Sequence, residues 1–296
     1  MRLHPFRLVE PESLNEALDA VARLDGEARL VAGGTAIVPM IRLGLVKPDR
    51  LISLHRLSEL TRIGLDGTAL ELGAMARLAD IERSRVVRDG WPLVAEAARR
   101  VATPAIRTSG TIGGNLAFAE AASDPAPALL CHDAEVRVVG RGGERALPIA
   151  RFFRGFYEAA LEPGEIVTAV RVPPSPRGAR TGYVKFTSRS AEDRPLVGVA
   201  ALIVMDEAGR CREARIGLGG VAPTPIRAGR AEAALRGEAL SDAAVRAAAE
   251  TAAQEADPLS DLMGSADYRR EMIRVWVRRL LVKLRASRSP SSQSSS

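Results

Sequence analysis

Apolar residues recur at Leu14, Ala17, Leu18 and Val21, the spacing of a helix with one buried face. Ser13-Leu-Asn-Glu16 opens this helix as a capping box, and Asp25-Gly26 stops it. Arg29 to Ala32 then reads as a short strand that runs straight into Gly33-Gly34. A second helix is predicted from Ala36 to Leu43, ending at Gly44, and Arg50 to Leu54 reads as another strand. Strand, glycine turn, helix and strand make a βαβ-like unit.

The pattern then changes. Arg62 to Leu65 and Ala69 to Leu72 flank Asp66-Gly67 and read as a hairpin. Helices are predicted over Leu78 to Val87 and Pro92 to Val101, the second ending before Thr103-Pro104. The stretch from Ala105 to Asp124, AIRTSGTIGGNLAFAEAASD, breaks the periodicity and reads as a crowded turn of small polar residues. A short helix over Pro125 to Leu130 and strands over Glu135 to Val139 and Glu165 to Val172 follow. Pro173 to Gly178 is a proline-rich connector and the best domain boundary.

Beyond the connector, Gly182 to Ser188, Val197 to Met205 and Arg212 to Leu218 read as strands of an antiparallel sheet, with a turn at Asp206 to Gly209. Helices are predicted at Arg230 to Leu235, Asp242 to Glu255 and Asp267 to Leu284. In the last, Met272, Ile273, Trp276, Leu280 and Leu284 mark one apolar face. The fold class is α+β. The organisation is an N-terminal domain over 1–174, divided at about residue 55, then a domain over 179–286 and a disordered Ser-rich tail over 287–296.

Composition narrows the function. The 296 residues are 46% hydrophobic, enough for a sizeable core, but only 4% aromatic. The net charge of +6 is spread over 42 basic and 36 acidic residues, which reads as a solvated surface rather than a nucleic-acid footprint. Cations concentrate only from Arg269 to Arg288, where a solvated helix face and a partner-facing basic helix are both open. Cys131 and Cys211 are far apart, so no iron–sulfur or structural zinc ligand set exists in this chain. The N-terminus lacks the apolar core of a signal peptide, and the longest apolar run, Leu196 to Met205, is half a membrane span. A soluble, cytoplasmic protein is expected.

Two glycine-bearing turns stand out. In Val31-Ala32-Gly33-Gly34-Thr35-Ala36-Ile37-Val38 the backbone can approach a ligand, and the helix start offers N–H groups to phosphate. A tight strand-to-helix turn also needs glycine for itself. Thr111-Ile112-Gly113-Gly114-Asn115 carries donors suited to a diphosphate or a ribose, or is a loop crossing closely over a strand. Asp124 could accept from ribose hydroxyls or cap the helix before Pro125. Lys185 could face an anionic cofactor or solvent. His4, His55 and His132 are isolated, and no HExxH, GxSxG or GxxxxGK[ST] motif occurs, so an enzyme of this sequence leaves the chemistry to a cofactor.

AGGT at 32–35, TIGGN at 111–115 and Asp124, in that order and spacing, resemble the flavin-binding subunit of the molybdenum hydroxylases. That is the family of xanthine dehydrogenase and aerobic carbon monoxide dehydrogenase. The layout is most like the carbon monoxide dehydrogenase medium subunit, from about Met1 to Leu284. The resemblance implies an FAD-binding domain of the vanillyl-alcohol-oxidase (PCMH) type in two subdomains, followed by a smaller α+β domain. FAD would lie between the subdomains. Val31 to Val38 would wrap its diphosphate, Thr111 to Asn115 would add contacts, and Asp124, Val167 and Lys185 would touch it further along. Thr35-Ala36 replaces the histidine of covalent relatives, so FAD is expected to be noncovalent.

The implied function is an electron-transfer subunit. It would take electrons from a 2Fe–2S small subunit, served by a molybdenum-cofactor large subunit, and pass them to a quinone, oxygen or NAD. A stand-alone flavin oxidoreductase and a flavin-less scaffold are the alternatives. Two departures mark this chain. Glu120-Ala121 stands where relatives usually carry Asp-Pro, and the charges of Ser188 to Arg194, beside the flavin in xanthine dehydrogenases, differ.

Overall fold

A computed structural model describes residues 4–22 and 28–287. The predicted helix stop at Asp25-Gly26 and the tail from 288 lie outside the described residues. The first unit is a parallel sheet in which Arg7–Val9 and Ala28–Val31 flank Arg50–Ser53. Helices Leu14–Ala22 and Ile37–Arg42 supply the connections, as the apolar spacing predicts. Arg7–Val9 gives no signal in the sequence, because three residues between Pro5 and Pro11 are too short for alternation to show.

The second unit is an antiparallel sheet ordered Ile63–Asp66, Ala69–Gly73, Ile166–Val172, Glu135–Gly140 and Gly143–Pro148. Its central strand, Ile166–Val172, is mostly buried and carries an irregularity between Val167 and Ala169. The helix expected from Leu78 to Val87 is two, Leu78–Arg83 and Arg85–Gly90. Ser84 takes an extended conformation between them and its hydroxyl accepts from the Val87 N–H at 3.4 Å, so it ends one helix and caps the next. Pro92–Arg100 follows with Pro92 in its first turn. The stretch expected as a crowded turn holds helices Pro104–Ser109 and Ile112–Phe118, capped by the hydroxyls of Thr103 and Thr111. Short range capping overcame a glycine content that argues against a helix. Pro125–Cys131 is the last helix of this unit.

The third unit is an antiparallel sheet ordered Arg180–Phe186, Val197–Met205, Cys211–Gly219 and Ile226–Arg227. Helices Gly229–Leu235, Asp242–Glu255 and Ala266–Ala286 cover one face. Leu93, Ala97, Ala128 and Cys131, from helices of the second unit, cover the other. Val197–Met205 is therefore buried except at Met205, which explains its uninterrupted apolar run. The sheet and the second unit come so close that a Cβ on Gly217 would stand 2.2 Å from the Pro127 carbonyl oxygen.

The long helix buries Ile273, Val277, Leu280, Leu281 and Leu284, while Met272 and Trp276 are only partly covered. Three of its cations pair within the domain, Arg269 with Asp261, Arg274 with Glu250 and Arg285 with Asp242. No helix among the described residues is long and apolar enough to cross a membrane.

Candidate functional site

Strand Ala28–Val31 ends where the Leu54 N–H donates to the Val31 carbonyl at 2.9 Å. Then the pairing stops. Among the described residues, the six consecutive N–H groups from Ala32 to Ile37 donate no hydrogen bond; the next, Val38, donates to the Gly34 carbonyl at 3.0 Å. All six residues are partly exposed. Gly34 has φ +72°, a left-handed turn that glycine permits. A run of unpaired N–H groups through a left-handed turn offers donors of the kind that bind anions.

The second glycine motif is built in the opposite way. Thr111 to Asn115 are expected to offer N–H and O–H donors, and in the structure four of their N–H groups are already used. Ile112 donates to Ala76 O at 3.0 Å, Gly113 to Ala74 O at 2.9 Å and Asn115 to Thr111 O at 2.9 Å, and Gly114 donates to Thr111 Oγ1 at 3.1 Å. The donors left are in side chains. Ser123 donates to Asn115 Oδ1 at 2.6 Å, which orients the amide and leaves its Nδ2 free among the described residues.

The two motifs meet. A Cβ on Gly33 would lie 1.9 Å from the Ser109 carbonyl oxygen and 3.0 Å from the Gly110 Cα, and one on Gly114 would lie 3.4 Å from the Ala32 Cβ. The glycines thus seat the parallel-sheet unit against the middle unit, backbone on backbone. Ligand approach alone does not account for them.

Asp124 and Lys185 are brought together, with side chains 5% and 3% exposed. Lys185 Nζ donates to Asp124 Oδ2 at 3.1 Å and to Arg100 O at 2.8 Å, and the Tyr183 hydroxyl donates to Asp124 Oδ1 at 2.7 Å. Asp124 makes no helix-cap bond and Lys185 does not face solvent, so both bland alternatives fall. Burial pushes the Asp124 carboxyl up to about 6, against the pull of the Lys185 ammonium. This network ties the start of helix Pro125–Cys131 to the first strand of the third unit. Val167 pairs with Val138, and its side chain lies in the core of the middle unit; only its backbone could serve a ligand.

Helix Ile112–Phe118 spans about 10 Å, at about 1.5 Å per residue, from Thr111 beside the nest to Ala119. Past its end opens a cleft of about 490 Å³ between the middle and third units. Glu120, Tyr157 and Phe156 line it from one side, and Arg194, Leu196 and Met263 from the other. Tyr157 donates its hydroxyl hydrogen to Glu120 Oε2 at 2.9 Å, Arg194 Nη1 donates to the Tyr157 oxygen at 3.0 Å, and Arg194 also pairs with Glu120. Burial and the Glu120 carboxylate raise the Tyr157 phenol above its ordinary range. Tyr157 and Ala119 both have left-handed backbones, φ +58° and +50°, and the Tyr157 N–H donates to the Ala119 carbonyl at 3.1 Å. Such conformations in ordinary residues cluster at functional sites. Sequence reasoning missed Tyr157, since nothing in its neighbourhood reports a positive φ.

Comparison with known proteins agrees with this architecture. Residues 4–175 match the family described as FAD binding domain in molybdopterin dehydrogenase, and residues 182–284 match the CO dehydrogenase flavoprotein C-terminal domain. The 6-hydroxypseudooxynicotine dehydrogenase complex subunit alpha of Paenarthrobacter nicotinovorans is 34% identical, over 99% of each chain. The carbon monoxide dehydrogenase medium chain of Hydrogenophaga pseudoflava is 35% identical, over 93% of this chain and 96% of its own. A solved structure of carbon monoxide dehydrogenase from that organism superposes with a TM-score of 0.93 and 35% identity, covering 97% of this chain and 100% of the other. The chain therefore belongs to the FAD-binding subunits of the molybdenum hydroxylase family, the oxidoreductases of the carbon monoxide dehydrogenase medium-chain and xanthine dehydrogenase type.

Proposed function

We propose that this chain is the electron-transfer subunit of its complex, holding noncovalent FAD along the line from the Ala32–Ile37 nest to the cleft beyond Ala119. The six unpaired N–H groups carry this reading. An anion that bridges several of them gains charge-assisted hydrogen bonds that nothing in the chain competes for. Thr111 and Asn115 contribute side-chain contacts. Asp124 and Lys185 hold the wall between the units and reach the cofactor only with the bonding capacity left after their own pair. Val167 presents backbone alone.

Bound FAD supplies a carrier that accepts electrons singly and gives up a pair. The chain's own residues bind and orient it, and the 490 Å³ cleft gives a small acceptor a way in. Two cysteines cannot ligate a cluster, and no group of three metal-binding side chains occurs among the described residues. On this reading electrons arrive from a partner. The proposed partners are a 2Fe–2S small subunit and a molybdenum-cofactor large subunit, with a quinone, oxygen or NAD as acceptor.

The test is to co-express the chain with its partner chains, desalt the complex, record its visible spectrum and identify the cofactor released by acid. Near-stoichiometric FAD that bleaches when substrate is added to the complex supports the reading. A complex whose clusters reduce while the flavin stays oxidised refutes electron transfer through this chain.

A further inference from the structure

The buried Asp124 carboxyl sits in a socket shaped for its ionised form. The Tyr183 hydroxyl meets Oδ1 at 2.7 Å and the Lys185 ammonium meets Oδ2 at 3.1 Å, so each oxygen already faces a donor. Burial and the Asp124 charge push the Tyr183 phenol well above its ordinary range, so Tyr183 keeps its proton and remains the donor. A glycine leaves room for that hydroxyl: a Cβ on Gly198, in the adjacent strand, would stand 2.7 Å from it. Tyr183 is buried, and its backbone N–H donates to Glu96 Oε2 at 3.0 Å, which ties the strand to helix Pro92–Arg100. The charged and titratable groups around Asp124 are therefore Lys185 and Tyr183 from one strand, and Arg100 and Glu96 from that helix. A proton on Asp124 must displace one of its two donors or take a position left for a ligand, and it strips Lys185 of its counter-ion.

We propose that Tyr183 is a positioning residue for FAD: by donating to Asp124 it keeps that carboxylate ionised and open to cofactor hydroxyls, so that FAD binding is linked to loss of a proton from Asp124. The proposal rests on the FAD reading above. A carboxylate has about four acceptor positions, and two are taken here. The others can receive ribose or ribityl hydroxyls only while no proton occupies them. Burial lifts Asp124 to about 6, restrained by the Lys185 charge and then by the Tyr183 hydrogen bond. A hydrogen bond to the charged form favours that form, so removing the Tyr183 hydroxyl raises the value further. FAD affinity is therefore complete above this pH and declines as pH falls through it.

The test titrates the FAD-stripped complex with FAD, followed by fluorescence, between about pH 5 and pH 8. Wild-type affinity should be level at the upper end and weaken by up to about tenfold per pH unit below 6. Calorimetry below 6, in two buffers of different protonation enthalpy, should count most of one proton released as FAD binds, and none at the upper end. Tyr183→Phe should shift the decline to higher pH and regain wild-type affinity at the upper end. Gly198→Ala, which keeps the hydroxyl but crowds it, should do the same. His55→Gln, at an exposed histidine, should follow the wild type. A pH-independent wild-type affinity, a decline that His55→Gln abolishes, or variants that lose affinity equally at every pH overturn the role of Tyr183 and leave the FAD reading standing. A wild-type complex that takes up no FAD at any of these pH values overturns both.

Discussion

Replacing Gly33 by alanine tests how the cofactor site is held. The new Cβ would stand 1.9 Å from the Ser109 carbonyl oxygen and 2.6 Å from its carbon, where an ordinary contact begins near 3.4 Å. The loop must therefore retreat by about 1.5 Å, and neither side yields easily. Gly110 donates to Ile106 O at 2.6 Å and accepts from the Leu78 N–H at 2.9 Å, so the opposing backbone is pinned at both ends. Overpacking of this kind costs about 1–3 kcal/mol of stability. A retreat of that size also carries N–H groups out of hydrogen-bond range of a diphosphate. Two lost charge-assisted bonds, at about 1.5–3 kcal/mol each, weaken FAD binding by about 10²- to 10⁴-fold. Fluorescence titration of the cofactor-stripped protein reads the affinity, and thermal unfolding reads the stability. Gly34→Ala is the companion: its Cβ meets only Val38 Cγ2 at 3.3 Å and Val31 Cγ2 at 3.9 Å, so its penalty is the local left-handed strain of about 1–2 kcal/mol. If Gly33→Ala binds FAD as the wild type does, the backbone seam does not position the nest.

Gly114→Ala should cost about 0.5–2 kcal/mol in urea unfolding, because its Cβ would lie 2.9 Å from Thr111 Oγ1 and break the helix cap. It should weaken FAD less than Gly33→Ala does, since its N–H is already used. Asp124→Asn should destabilise by about 3–5 kcal/mol by leaving the Lys185 ammonium buried without a counter-ion, and the double variant Asp124→Leu, Lys185→Met should recover much of that loss. His132 is buried with neither ring nitrogen bonded, and burial, with the Arg215 charge, lowers it from 6.5 to about 4. Its folded pKa is depressed, so the stability is present above pH 6.5 and is lost as pH falls through 4, by about 3 kcal/mol at about 1.36 kcal/mol per pH unit. Asp124 acts with the opposite sign, its contribution present below pH 3.8 and lost as pH rises through 6. The slope should therefore be read as the difference in urea stability between wild type and His132→Leu, and a pH-independent difference would refute it.

Much of the architecture is legible in the chain because it rests on short-range patterns. Helix Leu14–Ala22 follows from a capping box and apolar spacing, and Val197–Met205 from an unbroken apolar run. The site is legible only as a set of places. AGGT and TIGGN can be located, but not which N–H groups are free, since Ile112 and Gly113 are silenced by carbonyls of Ala76 and Ala74, some 36 to 39 residues away. Asp124 and Lys185 each look ambiguous alone, and their pairing across 61 residues is a product of the fold. Gly143–Pro148 escapes notice because its mostly exposed residues leave little apolar signal.

Glycine serves two purposes in this site, and the difference fixes where binding energy can come from. At Gly34 it permits a left-handed turn in a stretch whose N–H donors are left unpaired. At Gly33 it removes a side chain so that the parallel-sheet unit can touch the middle unit at Ser109, and at Gly113 it lets a helix lie against Ala74 within the middle unit, where the donors are consumed. On the proposed reading, attraction for an anion is therefore concentrated in Ala32 to Ile37, while Thr111 to Asn115 chiefly fix the frame against which that loop is held. The frame extends further. The middle unit is joined to the third by the buried Asp124–Lys185–Tyr183 network and by the close approach of Gly217 to Pro127. An unpaired nest carries the entropy of six loosely held residues unless its neighbours hold it, and here the neighbours come from the middle unit. Affinity for the cofactor is for that reason a property of the assembled chain, with the glycine fingerprint supplying only its local part.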